Sequence, residues 1–261
     1  MRAFAFVLAT SLLCLAAGAA PRRVASLNLC TDELLLQLAG KGQIASVTHL
    51  AQNPAETPLW RQARLFPHND GSLASVASLR PDLVLTMGGG ARDRAGIARR
   101  LGIGLIDLPY PRTLDDVEAN LTRVAAALGR PDAARPVLAA LRRLERTAPA
   151  ARIDTIWLGG GGRTVAAGGL EARWMALAGM RQRSLIGDRV SLEELLVRPP
   201  ALILRSDYRA GQYSSGQRWM LHPLVARTRR SRTIATDGRL WTCMGPLLVP
   251  EIERLRRELT H

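Results

Sequence analysis

Four histidines, two cysteines beyond the first twenty residues and a few well-placed aromatic side chains carry most of the chemistry open to this chain. His49, His68, His222 and His261 are scattered and lack the close spacing of a zinc site. No Gly-x-Ser-x-Gly elbow, no His-Glu-x-x-His pair and no carboxylates tied to a base occur, so a secreted enzyme is the weaker class. Gly159 to Gly162, followed by Arg163, could cradle an anion through backbone amides. That run lacks the Lys-Ser/Thr of a phosphate loop and the spacing of a dinucleotide fingerprint, so no cofactor and no resident metal are expected. What remains is the chemistry of binding, in which a few polar groups are set on apolar walls. The candidates are Asn28, Cys30, Thr31, His49, His68, Met87, Gly88, Tyr110, Tyr208, Arg209, Trp241 and Thr242.

Most of these residues follow a strand-like run, and the order of elements explains why. Apolar β-rich runs at 23–28, 44–49, 83–87 and 104–108 alternate with helical spacing at 31–38, 73–79 and 92–101. Thr31 or Ser26 could start the first helix; Ser72 can cap the second, which Pro81 ends. The middle differs, with helical stretches at 114–128 and 132–148 and no strand between them. Pro131 suits a helix start and Pro136 threatens its first turn. The second half repeats the alternation, with strands expected at 155–158, 164–167, 201–204 and 233–236 and helices at 173–178, 192–197, 217–224 and 247–259. The expected fold is therefore α/β: two lobes with parallel-rich sheets flanked by helices, joined by one long helix, with a ligand cleft between them. The boundaries are 21–130 for the N-terminal lobe, 131–149 for the connecting helix and 150–261 for the C-terminal lobe. Strand carboxyl ends and the loops after them should face the shared crevice.

Each candidate also has a plainer role. Residues 28–31 could be a helix cap and turn, each histidine a satisfied surface or core residue, and 87–90 a flexible turn. Trp157 lies in a strand and reads as core. Trp241 is the foremost ligand candidate, because a flat hydrophobic ring suits a macrocycle or aromatic chelator. Cys30 and Cys243 fall on cleft-side segments, one per lobe; they could form a disulfide tethering the lobes or remain free thiols.

Residues 1–20 read as a secretory signal peptide, with Arg2, an apolar run over 3–17 and small residues at 17–20 before Pro21. The run is short for a membrane anchor. Cys14 follows the bulky Leu13, which argues against lipid attachment. Removing this segment takes away one charge of a formal +14 that is nearly all arginine, with Lys41 the single lysine. The arginines are spread along the chain without a basic tail or interleaved aromatics, so no nucleic acid partner is expected.

Several stretches together resemble the cobalamin and iron-siderophore type periplasmic binding proteins of ABC importers. They are Arg23-Val24-Ala25-Ser26-Leu27-Asn28-Leu29-Cys30-Thr31-Asp32-Glu33, Gly71-Ser72-Leu73 before Leu79-Arg80-Pro81-Asp82-Leu83-Val84-Leu85, and Gly102-Ile103-Gly104 before Leu114-Asp115-Asp116. In the second half they are Val190-Ser191-Leu192-Glu193-Glu194-Leu195-Leu196 before Pro200-Ala201-Leu202-Ile203-Leu204, and Leu240-Trp241-Thr242-Cys243-Met244-Gly245-Pro246. The resemblance implies a periplasmic monomer, with its signal peptide removed, that captures a small metal chelate (ferric siderophore, corrinoid or haem) and delivers it to the importer's membrane subunits. A non-transport accessory or sensor role on the same fold is the alternative. Tyr110 follows a strand and could stack on or ligate a chelate. The resemblance also implies a ligand-facing His68 and permease docking by an acidic residue on each lobe. Glu193 matches the second-lobe position; the first-lobe position falls on Ala74, with Asp70 as a substitute.

Overall fold

A computed structural model describes residues 20–89, 92–207 and 231–260. The expected helix at 217–224, and with it Tyr208, Arg209 and His222, lies outside the described residues, as does the signal segment up to residue 19. In chain order the first half runs β1 (Val24–Ser26), α1 (Leu29–Leu38), β2 (Ile44–Thr48), α2 (Trp60–Ala63), β3 (His68–Asn69), α3 (Leu73–Ala77), β4 (Leu83–Met87), α4 (Arg92–Arg100), β5 (Gly104–Leu108) and α5 (Leu114–Ala127). Next come a 3-10 turn at Pro131–Ala134 and α6 (Arg135–Arg146). The second half runs β6 (Ile153–Leu158), α7 (Leu170–Ala176), β7 (Met180–Gln182), α8 (Leu192–Val197), β8 (Leu202–Asp207), β9 (Arg232–Asp237) and α9 (Leu248–Thr260).

The strands form two sheets, ordered β3-β2-β1-β4-β5 and β7-β6-β8-β9, and every described pairing is parallel. Parallel sheets are covered on both faces, so their strands alternate between two cores. In the first lobe Val24, Leu83 and Leu85 enter one core, while Ala25 and Val84 enter another with Leu73, Val76 and Ala98. In the second lobe Leu202 and Leu204 point to one side and Ile156, Leu158 and Ile203 to the other, where Leu195 of α8 covers them. The inner cores of both lobes are one continuous cluster. It joins Leu35 and Leu38 of α1 and Leu121 of α5 to Leu141 and Leu144 of α6, Trp174 of α7 and Ile252 and Leu255 of α9. No described helix is long and apolar enough to cross a membrane.

Local structure departs from the sequence expectations at a few places, each with a cause. The helix read over 132–148 is a 3-10 turn followed by a twelve-residue α6. Pro136 stands at the second position of α6, lacks an N–H and crowds the carbonyl four residues back, so the α-helix begins late. Residues 164–167 form no strand: the Thr164 hydroxyl donates to the Trp157 carbonyl, and the nearest pairing is an isolated bridge just before the segment, Arg163 to Arg189. Asn28, not Thr31 or Ser26, caps α1, its side chain accepting from the Cys30 N–H at 2.9 Å. The Ser72 cap of α3 forms as read, and Thr113 and Asp116 build a capping box on α5.

Candidate functional site

The carboxyl ends of the two sheets meet. Cys30, four residues past the end of β1, is disulfide-bonded to Cys243, six residues past β9, with the Cα atoms 5.2 Å apart and a sequence separation of 213. The Arg239 guanidinium, also just past β9, donates to the Pro54 carbonyl of the first lobe at 2.6 Å. Beside the disulfide lies a small hollow of about 20 Å³, room for little more than a water molecule. The first lobe lines it with Cys30, Glu33, Met87 and Asn120, the second with Cys243 and Pro246. A second hollow, of about 240 Å³, opens on the C-terminal lobe at the ends of β6, β8 and β9. Trp157, Gly159, Ser206, Trp241, Thr242 and Met244 are among its walls.

The first-lobe candidates divide by burial. Thr31 is completely buried, its hydroxyl shared with the Ser26 hydroxyl at 2.7 Å and the Asn28 carbonyl at 2.9 Å, which leaves it no atom for a ligand. Asn28 is half-buried with its side chain spent on capping. Cys30 is committed to the disulfide, and Met87 is buried at the hollow's wall. His49 and His68 are exposed, and the Nδ1 of His49 lies 3.3 Å from the Asn69 carbonyl. Tyr110 is 56% exposed, with its ring seated over Gly88. Gly88 has φ of 92°, and any side chain there would collide with that ring, so both its backbone angle and its missing Cβ are used.

Two buried carboxyls stand behind the cleft wall. Asp32 is fully buried and accepts from the Thr48 N–H at 3.0 Å and from the Thr48 hydroxyl, tying α1 to the end of β2. Glu33 is 2% exposed and accepts from the Thr57 hydroxyl at 2.8 Å. Burial raises Asp32 from 3.8 to about 7, against the opposing hydrogen bonds from Thr48. Burial raises Glu33 from 4.5 to about 8, with the Asp32 charge adding to it. Among the described residues no group of three or more His, Cys, Asp or Glu is placed to hold a metal ion.

In the second lobe Trp241 is 3% exposed, and its indole N–H donates to the Thr236 hydroxyl at 2.9 Å. It therefore forms a fixed wall rather than a mobile clamp. Trp157, read from sequence as core, packs against the core and also lines the same hollow, edge-on to Trp241 at 6.3 Å between ring centres. Its strand register conceals this, because the last residues of a strand border both the core and the loops beyond. Sequence reasoning also missed Glu33, Asn120, Arg239 and Met244; a buried carboxyl beside a cleft cysteine leaves no periodic signal. The docking candidates lie elsewhere, on two short helices capped alike. Ser72 opens α3, and Ser191 opens α8 by accepting from the Glu194 N–H at 3.0 Å. Glu193 and Ala74 are exposed in the first turns of these helices. Asp70 is exposed just ahead of α3, its carboxyl lowered to about 2 chiefly by hydrogen bonding from Ser72.

Comparison with known proteins follows this geometry. A search of curated protein sequences returned no significant match. Among solved structures, the chain superposes on a periplasmic heme binding protein from Pseudomonas aeruginosa with a TM-score of 0.63 and 22% identity, covering 91% of this chain and 92% of that one. The heme binding protein HutB of Vibrio cholerae gives a TM-score of 0.72 at 16% identity, covering 92% of this chain and 99% of that one. The vitamin B12 binding protein BtuF of Vibrio cholerae gives 0.62 at 18%, covering 92% and 97%. These likenesses establish the two-lobe α/β fold. A family model described as periplasmic binding protein matches residues 24–229, and the chain belongs to that family.

Proposed function

We propose that the protein captures a metal chelate (ferric siderophore, corrinoid or haem) in the cleft between its lobes and delivers it to the membrane subunits of an ABC importer. The observation that carries this reading is the meeting of the two sheets' carboxyl ends. The Cys30–Cys243 bond and the Arg239–Pro54 contact hold them together, and beside that junction the second lobe opens a hollow walled by Trp157, Trp241 and Met244. The solved relatives named above are binding proteins for heme and vitamin B12, which supports the same class of cargo here. Tyr110, exposed at the end of β5, stacks on or ligates the chelate from the first lobe, and Trp241 and Trp157 wall it from the second. Residues 1–20 direct export and are removed; 21–130 and 150–261 make the lobes, and 131–149 joins them.

The test is a titration of the mature protein with ferric siderophores, cyanocobalamin and haem, followed by Trp fluorescence and thermal shift. Cargo at a hundred times its dissociation constant stabilises the fold by about 2.7 kcal/mol. A panel in which no compound binds would sink the reading.

Docking follows from the paired short helices. Glu193 offers one exposed carboxylate to the importer, and Ala74 leaves its counterpart position without charge. Rim charges mainly steer and orient partners. Glu193→Ala therefore weakens binding to the importer roughly three- to tenfold, and Ala74→Glu strengthens it by a similar factor. Pull-down against the purified importer checks both; unchanged affinity in the two variants removes this role.

A further inference from the structure

Three of the eight large apolar side chains exposed among the described residues fall within one short stretch: Ile186, Leu196 and Val197. Ile186 is 99% exposed and Val197 70%, more than any of the others. Single apolar residues scattered on a surface need no explanation, but a cluster marks a contact. This cluster accompanies Glu193. On α8 the positions 193, 196 and 197 stand three and four residues apart and so share one face. All three are exposed, while Leu195 turns inward to the outer core. Ile186 sits on the turn that leads from β7 into that helix.

The turn and the helix are both braced. Leu185 packs on the outer core, the Asp188 carbonyl accepts from the Thr164 N–H at 2.9 Å, and the Val190 N–H donates to the Gly162 carbonyl at 2.8 Å. Arg183, just past β7, pairs with Asp154 and with one Glu194 oxygen at 2.9 Å; Arg198 takes the other at 2.8 Å. Glu194 is thus committed, whereas Glu193 has no hydrogen-bonded or charged partner among the described residues. An apolar side chain already held out on a braced turn loses little freedom when a partner covers it. The first lobe offers nothing comparable. Its matching helix α3 exposes Ala74 and, at its end, Ser78.

β7 runs parallel to its sheet, so the turn after it lies at the carboxyl end, where the two lobes meet. A partner that receives cargo there sits over this end. A second copy of a chain with formal charge +14 is repelled from it. We infer that the importer's membrane subunits grip the protein on one side only, through the Ile186, Leu196 and Val197 face of the C-terminal lobe. That face seats in an apolar socket with a basic group opposite Glu193, and the first lobe supplies no anchor. This rests on the docking reading and names the lobe and the contact that carry it.

The test titrates the mature protein onto the purified importer in lipid nanodiscs. Ile186→Ser/Val197→Ser is expected to bind the importer roughly thirtyfold more weakly, a larger loss than Glu193→Ala gives, with native melting temperature and native affinity for the chelate panel. Ile97→Ser/Leu101→Ser removes two exposed apolar side chains from the first lobe and is expected to bind the importer as the native protein does. Native importer affinity in the first pair, or an equal loss in the second, overturns the one-sided grip and leaves docking itself standing. Sedimentation of the native protein as a dimer that the first pair abolishes would assign the face to a second copy and also overturn the proposal. A native protein that binds its chelate and never the importer removes the docking reading together with this inference.

Discussion

The double variant Cys30→Ser/Cys243→Ser melts roughly 10 °C below the native protein and holds its cargo more weakly. The bond closes a loop with a sequence separation of 213 residues, so it withholds a large share of conformational freedom from the unfolded chain. The chain-entropy relation gives about 5 kcal/mol for a loop of that size, and measured bridges commonly contribute about 2–5 kcal/mol. The bond also joins lobe to lobe at the cleft, where it fixes how far apart the cargo-bearing walls stand. Its loss leaves the Arg239–Pro54 contact and the shared core in place, so the cleft loosens without the lobes parting. Thermal melts with and without reductant, followed by titration with the same panel of chelates, check both effects. Identical melting temperatures would mean that the bridge neither restrains the unfolded chain nor supports the cleft.

Glu33→Gln stabilises the protein at pH 8 by on the order of 2–4 kcal/mol and leaves it nearly unchanged at pH 4. In the folded chain burial raises the carboxyl from 4.5 to about 8, whereas the unfolded chain ionises it at the ordinary value. The folded state therefore binds more protons between those values. Stability is fully present below about pH 4.5, falls as the pH rises, and levels off above about pH 8. Asp32 contributes in the same direction, from 3.8 up to about 7. Glutamine keeps an acceptor for the Thr57 hydroxyl and cannot ionise, so it removes the Glu33 share of that slope. Asp32→Asn acts in the same direction, because an amide can accept from the Thr48 N–H and donate to the Thr48 hydroxyl as the neutral carboxyl does. Urea unfolding of the native chain and Glu33→Gln at pH 4, 6 and 8 checks the sign. A native protein whose stability does not fall over that range would contradict the buried neutral carboxyl.

Much of the fold was legible because its period was. The runs at 83–87 and 104–108 became β4 and β5 at the residues read, and 192–197 became α8. Each has dense apolar residues and a clear stop. β3 and β7, at two and three residues, are too short to carry any alternation, and β7 depends on pairing with β6 for its existence. Register beyond the strand ends was harder still. Thr31 and Trp241 stand at the cleft end in sequence, but one is buried as a hydrogen-bonding brace and the other as a fixed wall. Trp157 borders the hollow as well as the core, and its strand position alone does not separate the two, because residues near the end of a strand can face both.

The single inner core has a further consequence for how the chain folds. Leu248, Ile252 and Leu255 of the last helix complete the same cluster that Leu35 and Leu38 of the first helix begin. Neither lobe owns a finished interior, so one melting transition is expected for the whole molecule, with no separate unfolding of halves. Contacts between the two ends of the sequence also make the search for the native state slow and late. Until the final helix arrives the cluster lacks one wall, and a chain truncated before Leu248 stays open.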